Sequence, residues 1–349
     1  MSALRVAVVG ATGAVGTVML RLLRSRAFPA SEIVPFASSR SVGRELDSGL
    51  VVQPLDEETI QGFDVALFSA GATRSREWAP RFVAAGAVVV DNSSAFRMVD
   101  GVPLVVSEVN PAALDGHSGI VANPNCTTMV AMLPLKALHD EFELVSMVAT
   151  SYQAAGGAGQ SGIDELAAQV APLAADVAQL CEDGAAAAGN VPHSVHHATL
   201  AFNVVPLLGT LGDDGHSDEE RKLRDESRKI LALPGLAVSP LCVRVPVMVG
   251  HGVAVRATFA RDVDLERALE VLAAFPNMVL DDVPTPLEYA GRDEVAVGRV
   301  RRDLADPRAL NFFVVGDNLL KGAALNTVQL AEALLERGLV GGQTRASAA

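Results

Sequence analysis

Cys126 is the residue of this chain whose setting most clearly suggests chemistry. It lies in the segment ANPNCTT, residues 122–128, between an apolar run and a helical pattern. Pro124 favours extended backbone before it and Asn125 is a good N-cap, so we expect Cys126 in the first turn of a helix. Unpaired backbone N–H groups and the helix dipole stabilise an anion there, which favours a reactive thiolate. The alternative is a buried, inert cysteine.

Two further segments carry groups that could assist a thiol. Gln153 ends a strand pattern shortly before Gly156 and Gly157, which would let the backbone approach a ligand. Arg244 and His251 fall in one strand–turn–strand unit, RVPVMVGHG, in which glycines flank the histidine. A guanidinium matches carboxylates, and an imidazole exchanges protons near neutral pH. Each residue alone also fits a structural role, as a turn or a solvated side chain.

Two other charged segments are candidates for the same site. Residues 92–97, NSSAFR, follow the strand that ends at Asp91, and ligands bind at the carboxyl ends of parallel strands. Glu220 and Lys222 lie in a charged helical stretch, residues 218–229, which also fits a solvated helix face.

The elements that must position these residues fall into two groups. Residues 4–126 alternate short apolar strands with helical segments, which predicts βαβ units and a parallel sheet. From about residue 141 longer strands, such as Leu144–Gln153, mix with helical stretches in an α+β pattern. We therefore predict an α/β protein with a Rossmann-like dinucleotide-binding domain, residues 1–126 and 319–349, and an α+β domain, residues 127–318.

Other elements are predicted with less local support. Strands are expected over residues 238–249 and 253–260. The Ala-rich residues 167–190 indicate a helix followed by a mobile surface loop at 183–190. Residues 318–338 form an amphipathic pattern, which predicts a final helix that packs on the first domain because its apolar face needs a partner.

A glycine-rich turn follows the first predicted strand. Its sequence, GATGAVG from Gly10 to Gly16, lies between a strand and a helix, as in dinucleotide-binding proteins. The second strand is followed by SSRS, residues 38–41, without the carboxylate that usually binds the ribose of NAD. Hydroxyls and a guanidinium suit a 2′-phosphate, so NADP is favoured over NAD. The alternative is a solvated polar turn.

Composition limits the classes of function. The net charge of −13 argues against general nucleic-acid binding. No uncharged apolar stretch is long enough to span a bilayer, and a strand pattern begins at once, leaving no room for a signal peptide. The three cysteines have neither metal-site nor disulfide spacing. We therefore expect a cytoplasmic protein without a metal centre, acting on a small molecule.

Taken together, these motifs resemble the aspartate-semialdehyde dehydrogenase family, in order and spacing, over nearly the whole chain. The resemblance implies NADP-dependent conversion of L-aspartyl 4-phosphate to L-aspartate 4-semialdehyde through a cysteine thioester, in the aspartate pathway to lysine, threonine and methionine. It also implies that the second domain is catalytic and forms a homodimer, with a homotetramer left open.

The resemblance further implies a role for each candidate residue. Cys126 is the nucleophile, His251 the acid–base group, and Gln153 helps to place the acyl group. Substrate-binding residues are Arg244 for the α-carboxylate, Glu220 for the amino group, Arg97 and Lys222 for the phosphate, and Asn92 without a more specific role. The NADP site would comprise Gly10, Thr12, Gly13, Ala14, Val15, Ser38, Arg40, Ser41, Gly156, Gly157 and Asn318.

Three alternatives are weighed at this stage, of which a glyceraldehyde-phosphate-type dehydrogenase is disfavoured because no acidic residue follows the second strand. N-acetyl-γ-glutamyl-phosphate reductases use the same chemistry, but their cysteine typically follows Pro-Gly, whereas Cys126 follows Pro124 and Asn125. An acetylated amine would also need no carboxylate partner such as Glu220. A non-catalytic NADP-binding sensor is disfavoured by the presence of Cys126 together with His251.

Overall fold

The computed structural model describes residues 4–340, which form two compact units. The described part of the first unit comprises residues 4–125, 229–232 and 320–340, and the second comprises residues 126–228 and 233–319. The second boundary lies one residue from the predicted one at 319. Residues 229–232 belong to the first unit, which the sequence did not indicate. Among the described residues, no helix combines the length and apolar character needed to cross a membrane.

The first unit is built on a parallel sheet. Its strands are β1 (Leu4–Val9), β2 (Ala30–Phe36), β3 (Val65–Phe68), β4 (Val88–Asp91) and β5 (Ile120–Ala122). They are ordered β2-β1-β3-β4-β5 and all pair in parallel. The helices α1 (Ala14–Ser25) and α2 (Ala72–Ala84) connect strands, as in a doubly wound fold.

Both faces of this sheet are buried, which explains its continuous apolar strands. Side chains alternate between faces along a strand, and β1 shows this directly. Val6 and Val8 pack in one cluster with α1, whereas Ala7 and Val9 pack in another with Phe82 of α2.

The C-terminal segment completes the first unit. The predicted single helix is divided into a π-helical turn (Leu320–Ala324) and α10 (Leu325–Glu336). Leu325, Val328 and Leu334 are buried in the same cluster as Val6 of β1, so the prediction that this helix packs on the first domain is confirmed.

The second unit is an α+β structure around a mixed sheet. Its strands are β6 (Leu144–Gln153), β7 (Ala237–Arg244), β8 (His251–Phe259), β9 (Met278–Leu280), β10 (Val295–Arg302) and β11 (Ala309–Gly316). Their order is β7-β6-β8-β11-β10-β9; β6–β7 and β9–β10 pair in parallel and the others antiparallel. The predicted fold class is therefore confirmed. The principal helices are α3 (Cys126–Phe142), α4 (Gln160–Ala174), α7 (Asp218–Ile230) and α8 (Leu265–Ala274).

Some local predictions were wrong. Residues 183–190 are largely helical, because the Asp176 and Asp183 carboxylates cap two short helices, α5 (Val177–Glu182) and α6 (Gly184–Gly189). Both carboxylates accept a backbone N–H three residues on, which offsets the short length of these helices. The strand expected over residues 238–249 ends at Arg244, after which the chain turns toward β8. The small helix α9 (Pro286–Tyr289) and strand β9 had not been predicted.

Candidate active site

Cys126 is the first residue of α3, as its local sequence predicts. Its Sγ lies 3.2 Å from Nε2 of His251, the first residue of β8. The two residues are 125 positions apart in the chain, and the second unit brings them into direct contact. A thiol beside an imidazole at a helix N-terminus is an arrangement for nucleophilic catalysis.

The His251 ring is fully buried and held from its other side. Its Nδ1 accepts the backbone N–H of Ala154 at 3.0 Å, so in the neutral ring the proton is on Nε2, facing the Cys126 sulfur. Burial, reinforced by the Arg244 charge and only partly opposed by the Gly250 carbonyl, lowers the pKa of His251 to about 3. The ring is therefore neutral at physiological pH and donates toward sulfur.

Gln153 and Arg244 are directly opposite each other at the ends of the parallel strands β6 and β7. Gln153 is buried, and its Nε2 donates to Ser151 Oγ at 3.1 Å and to Glu219 Oε1 at 3.4 Å. Arg244 donates from Nη1 to the Ala154 carbonyl at 2.6 Å, so one residue, Ala154, orients both the guanidinium and His251.

Arg244 also lines a cavity of about 350 Å³ in the second unit. The lining includes His196, His197 and Thr210 together with the apolar Val205. A cation in a cavity of this size is suited to a small carboxylate ligand.

The helix α7 presents two adjacent glutamates in different ways. Glu220 is buried and forms a capping box: its Oε2 accepts from Ser217 N, and Ser217 Oγ accepts from Glu220 N. Its Oε1 accepts from Cys242 N. Both carboxylate oxygens of Glu220 therefore accept hydrogen bonds from the backbone. These contacts give Glu220 a structural role and do not support its expected role at the substrate amine.

Glu219 faces the predicted site residues instead. Its Oε1 accepts from Gln153, and its Oε2 accepts from Lys222 Nζ at 3.1 Å. Burial alone would lower the pKa of Lys222, but Glu219 and Asp218 outweigh it and raise that pKa, so the ammonium stays charged. Sequence reasoning missed Glu219, although the SDEE capping-box pattern at residues 217–220 identifies Glu220 as the structural member.

The predicted Gly157 leaves space beside the side chains of Arg244 and His251. A Cβ on Gly157 would lie 2.7 Å from Arg244 Nη1 and 3.3 Å from the His251 ring. Gly156 donates to the Met248 carbonyl at 2.9 Å. Asn318 Oδ1 accepts from Gly250 N at 2.8 Å, which supports the turn that leads to His251.

In the first unit, the glycine loop borders a cavity of about 230 Å³. The lining includes Gly10, Thr12, Gly13 and Ser38, at the ends of β1 and β2. A Cβ on Gly16 would lie 2.1 Å from the Gly10 carbonyl oxygen, so the third glycine permits close packing of α1 on the loop. The predicted residues Ala14 and Val15 begin α1.

The lining of this cavity also includes Arg74 of α2, which the sequence analysis did not single out. Arg40 and Ser41 lie beside the cavity lining in sequence, in the short 3₁₀ turn Ser39–Ser41 after β2, with Arg40 exposed.

Asn92 and Arg97 are held together in the first unit. Arg97 is buried and donates from Nη2 to the Asn92 carbonyl and from Nε to the Asn123 carbonyl, both at 2.9 Å. The Asn123 amide in turn donates to Asn92 Oδ1 at 2.6 Å. This loop follows β4, at the carboxyl edge where such sheets bind ligands.

Comparison with known proteins gives a consistent result. The family model described as "Semialdehyde dehydrogenase, NAD binding domain" matches residues 5–117, and "Semialdehyde dehydrogenase, dimerisation domain" matches residues 135–321. The aspartate-semialdehyde dehydrogenase of Streptomyces akiyoshiensis is 51% identical over 94% of this chain and 98% of its own length. The chain belongs to the aspartate-semialdehyde dehydrogenase family.

Solved structures of this family share the fold. The Vibrio cholerae aspartate-semialdehyde dehydrogenase II, solved in complex with ASA, superposes with a TM-score of 0.89 at 39% identity, covering 96% of this chain and 99% of that one. The Candida albicans enzyme, solved with NADP, has a TM-score of 0.73 at 25% identity, covering 96% and 99%. The predicted family is therefore confirmed.

The buried, neutral His251 makes a prediction about pH and stability. The unfolded ring binds a proton below about pH 6.5, whereas the folded ring does so only near pH 3, so stability falls as pH drops through that window. Compared with His251→Gln, the wild-type unfolding free energy should fall by up to roughly 1.4 kcal/mol more per pH unit below 6. Chemical denaturation of both proteins between pH 7 and pH 5 measures this difference. Identical pH dependence would instead show that the folded ring takes up a proton over the same pH range as the unfolded ring, which would contradict the lowered pKa of His251.

Proposed function

We propose that this chain catalyses the reversible, NADP-dependent reductive dephosphorylation of L-aspartyl 4-phosphate to L-aspartate 4-semialdehyde. The observation that carries this proposal is the 3.2 Å contact between Cys126 Sγ and His251 Nε2 at the start of α3. The family to which the chain belongs, and the relatives named for this enzyme, support the same reaction. The reaction belongs to the synthesis of lysine, threonine and methionine.

The covalent steps are assigned to Cys126. Its thiolate attacks the acyl carbon; the bond from that carbon to the phosphate oxygen breaks, phosphate leaves, and a thioester remains. Bound NADPH supplies the hydride that reduces this acyl group. The carbon–sulfur bond then breaks, releasing the aldehyde and regenerating the thiolate.

His251 is assigned as the proton donor beside sulfur and the acyl oxygen. Because Ala154 N–H occupies Nδ1, the ring presents Nε2–H, which stabilises first the thiolate and then the negative charge that develops on the acyl oxygen. Its pKa of about 3 means that it works as a neutral donor, so it should add no limb near neutral pH to the free enzyme's rate profile. Gln153 helps to place the acyl group.

The remaining charged residues are assigned to the ends of the substrate. Arg244 binds the α-carboxylate, since a guanidinium pairs with it through two hydrogen bonds. Glu219, rather than the capping residue Glu220, accepts the substrate ammonium. Lys222, Arg97 and Asn92 contribute to binding the phosphate.

NADP is proposed as the cofactor, bound at the glycine loop. The residues present fit its phosphates. The glycines allow a phosphate to come close to the backbone of the loop, and the loop leads into the N-terminus of α1. The predicted residues Ser38, Arg40 and Ser41 supply groups for the 2′-phosphate, and Arg74 adds a cation to the cavity. We propose that the nicotinamide end of the cofactor is lined by Gly156, Gly157 and Asn318.

A homodimer and a cytoplasmic location complete the proposal, with a homotetramer as the alternative assembly. The match of residues 135–321 to a dimerisation-domain model supports association through the second unit. None of the three cysteines, all of which lie within residues 4–340, forms a disulfide, in keeping with a reducing compartment.

Replacing Cys126 tests the reaction. We expect Cys126→Ala to lower phosphate-dependent reduction of NADP by the semialdehyde by roughly 10³-fold or more, as loss of a covalent nucleophile does elsewhere. NADPH binding, followed by fluorescence titration, should be retained because the thiol does not hold the cofactor. Cys181→Ala is the matched control, since Cys181 is an exposed thiol on the short helix α5. Activity near the wild-type level in Cys126→Ala would exclude the mechanism.

Replacing each glutamate of α7 separates their roles. Glu219→Gln should raise the KM for the semialdehyde about tenfold or more, because an ammonium loses its charged acceptor. Glu220→Gln should mainly lower stability, by about 1 kcal/mol or more, because a single amide oxygen cannot accept from both Ser217 N and Cys242 N. Steady-state kinetics and thermal denaturation of both variants give the comparison; the reverse pattern would restore the role predicted for Glu220.

Replacing Arg40 tests cofactor choice. Loss of a charge-assisted bond to the 2′-phosphate should weaken NADPH binding about tenfold to a hundredfold in Arg40→Ala and leave NADH binding nearly unchanged. Arg76→Ala, which removes an exposed arginine from α2, is the control. Equal weakening of both cofactors would show that Arg40 does not contact the 2′-phosphate.

A further inference from the structure

A fully buried lysine lies in the first unit and has no role in the mechanism above. Lys321 is in the π-helical turn at residues 320–324 and has no exposed surface. Its ammonium forms an ion pair with Glu108, whose side chain is 6% exposed, and donates to Gln329 Oε1 at 2.7 Å and Asn326 Oδ1 at 3.1 Å. A buried charge is costly unless it is paired in this way.

The lysine fixes the direction of the neighbouring amide. An ammonium can only donate hydrogen bonds, so Asn326 must turn its oxygen toward Lys321. The backbone N–H of Ser107 donates to the same oxygen at 3.1 Å. The Asn326 Nδ2 therefore points the other way, where it donates to the Val105 carbonyl at 3.0 Å and to Asn123 Oδ1 at 2.7 Å.

The orientation of the Asn326 amide in turn fixes the orientation of two more side-chain amides, those of Asn123 and Asn92. Because Asn123 receives a hydrogen bond on its oxygen, its Nδ2 faces Asn92 and donates to Asn92 Oδ1 at 2.6 Å. The Asn92 oxygen is thus occupied, and its Nδ2 is directed away from the chain of amides. Within residues 4–340 the structure gives that Nδ2 no acceptor, and Asn92 is only half-buried.

Asn92, the last of these amides, lies beside a group that can bind anions, the Arg97 guanidinium. Arg97 donates to the backbone carbonyls of Asn92 and Asn123, so the guanidinium and the two amides are held as one assembly. An amide N–H donor beside a guanidinium suits phosphoryl oxygens, whereas an amide oxygen turned outward would repel them.

We propose that Lys321 and Asn326 are positioning residues which, through Asn123, set the amide of Asn92 so that its Nδ2 donates to the phosphate of the substrate. The inference rests on the proposed function, because it takes the phosphate site from that proposal. Lys321 acts here through the polarity of its hydrogen bonds and touches no reacting atom.

Asn326→Asp tests this proposal with little change in shape. The aspartate keeps an acceptor for Lys321 but loses the donor to Asn123, so Asn123 and then Asn92 should reverse and turn an oxygen toward the phosphate. In the phosphate-dependent direction the KM for inorganic phosphate should rise roughly tenfold to a hundredfold. The KM for NADP should stay within about twofold, since the cofactor keeps its contacts.

The matched control is Gln329→Met, which removes another partner of Lys321 without touching the line of amides. It should lower the melting temperature and leave the KM for phosphate unchanged. A double-mutant cycle adds a second readout: in an Asn92→Ala background, Asn326→Asp should raise the KM for phosphate no further.

Each other outcome would overturn the proposal. An unchanged KM for phosphate in Asn326→Asp, an increase confined to NADP, an equal increase in Gln329→Met, or additive effects in the cycle would show that the cluster is only structural or serves another ligand. Failure of the proposed function is distinct, because the wild-type protein would then show no phosphate-dependent reduction of NADP with the semialdehyde.

Discussion

The hydrogen bond from Ala154 N–H to Nδ1 of His251 is the constraint on which the site depends. It selects the ring tautomer, and so decides that a proton, rather than a lone pair, faces the Cys126 sulfur 3.2 Å away. The carbonyl of the same residue, Ala154, holds Arg244. One residue thus aligns the imidazole beside sulfur with the Arg244 guanidinium, and burial keeps the ring neutral, so that it does not repel the guanidinium.

Local sequence was sufficient where structure is determined locally. Pro124 and Asn125 mark the start of α3 by their own backbone preferences, and the glycine spacing marks the loop after β1. Apolar runs indicated a parallel sheet because both of its faces are covered. These signals are complete within a few residues, so they needed no knowledge of the rest of the chain.

The remaining features depend on pairings between distant segments. Gln153 and Arg244 are opposite each other only because β6 and β7 pair in parallel with that register, which neither strand specifies alone. The contact of Glu219, rather than Glu220, with Gln153 follows from the rotation of α7, which the capping box sets. The burial of Lys321 follows from a π-helical turn, and the amphipathic pattern of residues 318–338 gives no sign of it. The family resemblance supplied the roles of residues, but not these contacts.

The first unit is built from segments that are far apart in the sequence. This has a consequence for synthesis of the protein on the ribosome. The strands of the first unit are translated before residues 126–228 and 233–319 of the second unit, whereas Leu325 and Val328 of its core, and the lysine that orients the amides beside Asn92, are translated after them. The cofactor-binding unit therefore cannot close before the whole intervening α+β unit has been made. A chain that stalls near residue 300 would expose the apolar face of β1 and α1, which makes truncated products targets for chaperones and proteases.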